Sequence, residues 1–239
     1  MKKLLLLNVG IVSLISLFSC QNSATPVKKN SATPLVKTGW EDDGLKGKVK
    51  SFTLSQYGAE DRFGEIQKTN LFYKYIMRYD AKGNGIEAFW YNADGSFNSK
   101  ETFQYVKGNR IETNYYSANG SFDGKYINKY DDKDNRIEAN YYSANGSFKT
   151  KYIAKYDDKG NQIESNNYSA NGSLDHKYTW KYDDKGNQIE ENYYKADGSL
   201  DYKETYKYEF DGKGNWIKRI TFKNQIPKSI YEREYEYYE

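Results

Sequence analysis

Lys155-Tyr156-Asp157-Asp158-Lys159-Gly160-Asn161-Gln162-Ile163-Glu164 returns 26 residues later as Lys181-Tyr182-Asp183-Asp184-Lys185-Gly186-Asn187-Gln188-Ile189-Glu190. It also stands 26 residues earlier as Lys129-Tyr130-Asp131-Asp132-Lys133-Asp134-Asn135-Arg136-Ile137-Glu138. Looser copies lie at Tyr79 to Asn84, Tyr105 to Asn109 and Tyr208 to Asn215, so the block occurs six times. Halfway between copies comes a second turn, Asp94-Gly95-Ser96, Asn119-Gly120-Ser121, Asn145-Gly146-Ser147, Asn171-Gly172-Ser173 and Asp197-Gly198-Ser199. Asn-Gly and Asp-Gly suit hairpins that need positive φ, because glycine has no Cβ and Asn or Asp tolerates the left-handed region. A repeat is therefore two strands and two turns.

The segments between turns alternate. Tyr178, Trp180 and Tyr182 share one face of a period-2 ribbon, with Lys177, Thr179 and Lys181 on the other. Tyr126, Asn128 and Tyr130 against Lys125, Ile127 and Lys129 repeat the arrangement. Rows of lysine and glutamate on neighbouring strands can pair at about 0.2 to 1 kcal/mol each. Strands joined by tight turns pair with their sequence neighbours. The expected fold is all-β, an antiparallel meander of tandem hairpin repeats of about 26 residues, with the sheet open or spirally curled. Few Leu and Val are present to fill a thick two-sheet sandwich. The stretches 39–70 and 223–239 depart from the repeat, as terminal caps should, and bracket repeats over 71–222.

Tyr156-Asp157-Asp158-Lys159-Gly160-Asn161 and Tyr182-Asp183-Asp184-Lys185-Gly186-Asn187 resemble the YD repeats of Rhs-type bacterial surface proteins. That resemblance implies an all-β repeat architecture and life outside the cytoplasm. In that family the repeats enclose a toxin cargo; this sequence has few repeats, each longer by an extra Asn-Gly-Ser turn, so encapsulation is not expected of it. Tyr141-Tyr142-Ser143-Ala144-Asn145-Gly146 is similar to the unit of MORN-like repeats, including proteins labelled antitoxins. Tyr208 through Ile217 looks like the closing repeat of envelope lipoproteins with YD-like units.

The N-terminus reads as an export signal. Met1-Lys2-Lys3 precedes an apolar run that ends Leu17-Phe18-Ser19-Cys20. The run is interrupted by Asn8 and Ser13 and falls short of the roughly 20 residues of a spanning helix. Leu17-Phe18-Ser19-Cys20 resembles the lipobox of bacterial lipoproteins, whose cysteine is acylated after cleavage before it. The alternative is a general secretory signal with an incidental cysteine. Cys20 is the only cysteine, too few for an internal disulfide or a thiolate zinc site. Residues 1–19 are thus the signal and 20–38 the lipidated cysteine with a polar tether. Two or more acyl chains give stable membrane attachment, and the tether would reach about 20 to 25 Å. The expected place is the bacterial cell envelope, at the outer membrane.

Composition narrows the function classes. Without Lys2 and Lys3 the formal net charge of +3 falls to +1, which argues against a nucleic-acid partner. The chain is polar overall, yet its 26 tyrosines are not the composition of a disordered chain.

Candidate sites compete with plainer readings. Asp157, Asp158, Asn161 and Glu164 group oxygen ligands as calcium loops do, but without the alternating spacing of such loops, and Asp and Asn are what turns select. The turn reading leads and no metal or cofactor is expected. The Asn-Gly-Ser sequences match a glycosylation pattern and read better as turns. His176, the only histidine, reads as an exposed residue beside a turn.

Acid–base catalysis needs carboxylates in unlike environments, whereas those here recur in register, so the chain is expected not to be an enzyme. Three readings remain: a scaffold or protein-binding surface, a glycan-binding module using tyrosine and tryptophan rings, and an antitoxin or immunity-like protein. Tyr178, Trp180 and Tyr182 are the candidate binding residues if their face is open, and core if the sheet curls over them.

Overall fold

The computed structural model describes residues 38–239. After a four-residue helix, α1 (Gly39–Asp42), come strands β1 (Val49–Arg62), β2 (Glu65–Tyr79), β3 (Gly85–Asn92), β4 (Phe97–Val106) and β5 (Asn109–Ser117). The repeats continue as β6 (Phe122–Tyr130), β7 (Arg136–Ser143), β8 (Phe148–Tyr156), β9 (Gln162–Ser169) and β10 (Leu174–Tyr182). The last four are β11 (Gln188–Lys195), β12 (Leu200–Phe210), β13 (Trp216–Lys223) and β14 (Ile226–Tyr237). Each strand pairs antiparallel with its sequence neighbours, and β1 pairs with β14, so all fourteen form one closed barrel.

Closure corrects the expectation of an open or spirally curled sheet. The two ends of the chain cover each other's edges: Phe52 lies opposite Tyr235, Leu54 opposite Arg233 and Gln56 opposite Tyr231. A sheet closed in this way has no free edge to protect.

The curvature comes from bulges that a period-2 pattern does not announce. Lys129 faces Glu138 but Tyr130 faces Arg136, which leaves Ile137 as an extra residue. The same slip occurs at Ile163, Ile189 and Ile217. A second slip follows each Asn-Gly-Ser turn: Tyr141 faces Thr150 while Tyr142 faces Phe148. Bulges bend a strand and increase its twist, and bulges repeated in register are what curl a sheet into a barrel.

The turns have the geometry that their residues favour. Gly146 and Gly172 have φ of 80° and 84°. Both carboxylate oxygens of Asp157 serve the turn: Oδ1 accepts from the amides of Lys159 and Asn161, and Oδ2 from the Asn161 side chain. That arrangement uses the oxygens a calcium loop would need.

The repeat tyrosine also acquires a role. Tyr130, Tyr156 and Tyr182 donate to the backbone carbonyls of Arg110, Arg136 and Gln162, each twenty residues back and each at 2.8 to 2.9 Å. Every such ring lies on the inner wall and its hydroxyl fastens one hairpin to the preceding one, a bond worth about 1 kcal/mol.

Residues 38–48 seal the end of the barrel that carries the Asp-x-x-Gly-Asn turns. Trp40 donates from Nε1 to the Val49 carbonyl at 2.7 Å. Its indole lies against Gly83, where a Cβ would come within 2.6 Å of the ring. Leu45 of this plug joins Val49, Phe52, Met77, Tyr79 and Ala88 in the buried apolar cluster.

Candidate functional site

Alternation gives the barrel two unlike walls. The outer wall carries direct cross-strand pairs, Lys129–Glu138, Lys155–Glu164 and Lys181–Glu190, at 2.7 to 2.9 Å. These lysines keep more than 60% of their side-chain surface in solvent. Near the Asn-Gly-Ser rim, Tyr116 packs on Phe122 and Tyr142 on Phe148 with ring centroids 5.8 Å apart. Among the described residues no helix is long and apolar enough to cross a membrane. Lys125 and Lys203, paired with Glu112 and Glu190, stand near the middle of their strands on the same wall, where a lysine facing lipid would cost about 2 to 4 kcal/mol, so the charge pattern of this wall suits water.

The inner wall is aromatic and charged. Tyr178, Trp180 and Tyr182 stand on it together, half-buried. Tyr178 and Trp180 are stacked, 5.8 Å apart at an interplanar angle of 14°. They line an open cleft of about 320 Å³ with Tyr152, Asn167, His176 and Glu191. Tyr182 is apart from them, at the mouth. His176 departs from its expected exposure: it packs edge-on to Tyr178 at 5.2 Å, and its side chain is 23% exposed.

Two further spaces adjoin the cleft. An inner cavity of about 250 Å³ shares Tyr152 and Asn167 with it, and is also lined by Glu101, Arg110, Asn128 and Arg136. The mouth, about 590 Å³, lies between the plug residues Glu41 to Gly44 and the repeats, and shares Arg110 and Arg136 with the inner cavity. The three spaces thus adjoin in series along the barrel, each within or near the size range of small-molecule sites.

Electrostatics within the lumen is uneven. Burial pushes the Glu101 carboxyl above the ordinary carboxylate value, against the hydrogen bond from Trp90. Burial and the facing Glu191 raise Glu204 in the same direction. Arg110 is committed to the plug: it donates to Asp43 at 3.2 Å and to the Tyr105 hydroxyl at 2.9 Å. Arg136 instead lies over the ring of Tyr152, 5.5 Å from its centroid.

The lumen residues Arg110, Arg136, Glu101 and Glu191 are absent from the sequence-based candidates. Arg110 and Arg136 stand where other copies carry Gln162 and Gln188, and that break in the repeat was the available signal. Cys20 lies outside the described residues.

No family model matches the chain, and no curated protein matches it in sequence. The YD and MORN resemblances therefore rest on the quoted motifs alone. Among solved structures, a porin-like protein from Bacteroides uniformis has 9% identity over 80% of this chain and 99% of its own, with a TM-score of 0.49. A porin-like protein from Bacteroides vulgatus has 13% identity over 79% and 99%, with a TM-score of 0.46. A putative outer membrane lipoprotein-sorting protein domain from Vibrio parahaemolyticus has 11% identity over 78% and 85%, with a TM-score of 0.35.

Proposed function

We propose that this chain is a lipid-anchored, non-enzymatic protein of the bacterial envelope that binds a saccharide in the lumen of its barrel. The observation that carries this reading is the stacked Tyr178–Trp180 pair beside Glu191, Asn167 and His176 in one open cleft. A sugar presents apolar C–H faces and a rim of hydroxyls. Aromatic rings with a polar handle suit the faces, and a carboxylate and an amide suit the hydroxyls. The anchor rests on Leu17-Phe18-Ser19-Cys20, and the water-facing outer wall suits a barrel held beside a membrane rather than in it. The carboxylates that recur from repeat to repeat, Glu138, Glu164 and Glu190, are lysine-paired on the outer wall, and the lumen carboxylates Glu101 and Glu191, which break the repeat, are each held by an indole, which favours a binder over an enzyme.

Retention of the purified barrel on immobilised polysaccharides tests the binding. Wild type should be retarded and released by soluble glycan, and Trp180→Ala should elute unretarded while remaining folded. No retention on any polysaccharide would reject the reading. Metabolic labelling with a fatty-acid analogue tests the anchor: Cys20→Ser should lose the label, and label persisting in that variant would reject lipidation.

A protein-binding scaffold is the second reading. It is favoured by the half-buried ring pairs of the outer wall, such as Tyr142 with Phe148, because aromatic rings are frequent anchors of interfaces.

A further inference from the structure

Asn128 is 93% withdrawn from solvent, at 7% relative exposure, yet its Oδ1 has no hydrogen-bond partner. Its Nδ2 is used, donating to the Arg110 carbonyl at 2.6 Å. A buried amide oxygen left unpaired costs about 1 to 3 kcal/mol, and Asn128 is one of the residues that line the inner cavity. The residue is thus an acceptor that a ligand with a hydroxyl can satisfy.

Three charged residues share that cavity: Glu101, which accepts from the Trp90 indole, Arg110, which is paired with Asp43, and Arg136. Arg136 lies opposite Tyr130, two residues along β6 from Asn128 and on the same inner wall. Its guanidinium lines both the mouth and the inner cavity. It lies against Tyr152, 5.5 Å from the ring centroid, whereas Arg110 is paired with Asp43. Arg136 is solvent-exposed despite facing the lumen, and a planar guanidinium with fixed donors is suited to a carboxylate. Tyr115, Tyr126 and Tyr152 supply ring surface around the same space.

We infer that the ligand is an acidic saccharide: its carboxylate is held by Arg136 at the junction of mouth and inner cavity, and a neighbouring hydroxyl donates to Asn128 Oδ1. This deepens the saccharide reading and rests on it. The serial arrangement lets a short oligomer place an acidic unit at Arg136 and the next sugar against Trp180, since the two spaces share Tyr152 and Asn167.

The test is a binding panel of uronate- and sialate-containing oligosaccharides, each paired with its carboxyl-reduced form, measured by calorimetry on wild type and Arg136→Gln. Glutamine occupies the same repeat position at Gln162 and Gln188, so the variant retains a side chain the fold already accepts. Wild type should prefer at least one acidic member by about 10- to 100-fold over its reduced partner, as expected for a charge-assisted hydrogen bond. Arg136→Gln should bring that ratio near one while binding to the reduced form persists. Equal affinity of wild type for both forms of every pair, or a preference unchanged in Arg136→Gln, overturns the acidic assignment and leaves saccharide binding standing. Binding of no member of the panel by wild type overturns both.

Discussion

The indole Nε1 of Trp180 donates to Glu191 Oε2 at 2.8 Å, and the indole of Trp90 makes the same bond to Glu101 at 2.6 Å, eleven residues on in each case. Both bonds lie on the inner wall and hold a carboxylate in a partly dry lumen. Glu191 faces Glu204 across the strand pair, so its indole partner also offsets a repulsive neighbour. Fully buried Trp→Ala changes cost about 3 to 5 kcal/mol. Trp180 is half-buried at the edge of a cleft, so Trp180→Ala should cost about 1 to 2 kcal/mol in urea unfolding.

Acid should weaken the outer wall in a definite window. Burial works to raise the Glu190 carboxyl, but Lys203, Lys181 and Asn192, all donating to it, outweigh burial and bring it down to about 2 from 4.5. Because the folded value lies below the unfolded one, the stabilisation is fully present above about pH 4.5 and is lost as the pH falls through about 2. Melting temperatures measured from pH 5 down to 2 should fall less steeply in Glu190→Gln than in wild type. Parallel curves would count against the Lys–Glu–Lys bridge.

Turn geometry rather than an ion should specify the hairpins. At Gly172 a Cβ would meet nothing within 4 Å, yet φ is 84°, so the cost of a β-branched residue there is purely conformational. Gly172→Val should lose about 1 kcal/mol or more, a drop of roughly 2 to 4 °C in a domain of this size. Calcium should leave the melting temperature of wild type unchanged; a rise of several degrees that Asp157→Ala abolishes would reverse the assignment.

The seam is open to covalent test. Thr53 on β1 lies opposite Glu234 on β14, and facing residues in antiparallel strands have Cα separations of about 4.5 to 5.5 Å, within disulfide reach. In a Cys20→Ser background, Thr53→Cys with Glu234→Cys should oxidise to a monomer that migrates faster on a non-reducing gel. Cross-linked dimers without a monomeric disulfide would argue that the two ends do not meet.

The hairpins were legible in the sequence because turn residues and side-chain alternation are local. Gly146 and Gly172 sit at positive φ, and Lys177 and Lys181 are separated from Tyr178 and Tyr182 by strict alternation. Closure was not legible. It depends on the extra residues at Ile137, Ile163 and Ile189, which a period-2 reading passes over, and on Phe52 and Tyr235, far apart in sequence, meeting across the seam. The lumen was hidden for the same reason: once the sheet closes, Arg136 and Asn128 become neighbours of a cavity rather than members of a surface. The helical turn at Gly39–Asp42 was also missed, since four residues carry no periodicity.

Binding in the lumen and binding on the outer wall make opposite demands on two aromatic residues. Calorimetric titration of glycan into wild type, Trp180→Ala on the inner wall and Tyr142→Ala on the outer wall separates the two. The lumen account requires binding to vanish in Trp180→Ala and to be unchanged in Tyr142→Ala, with both variants folded by circular dichroism. Binding that survives Trp180→Ala and is lost in Tyr142→Ala would contradict it.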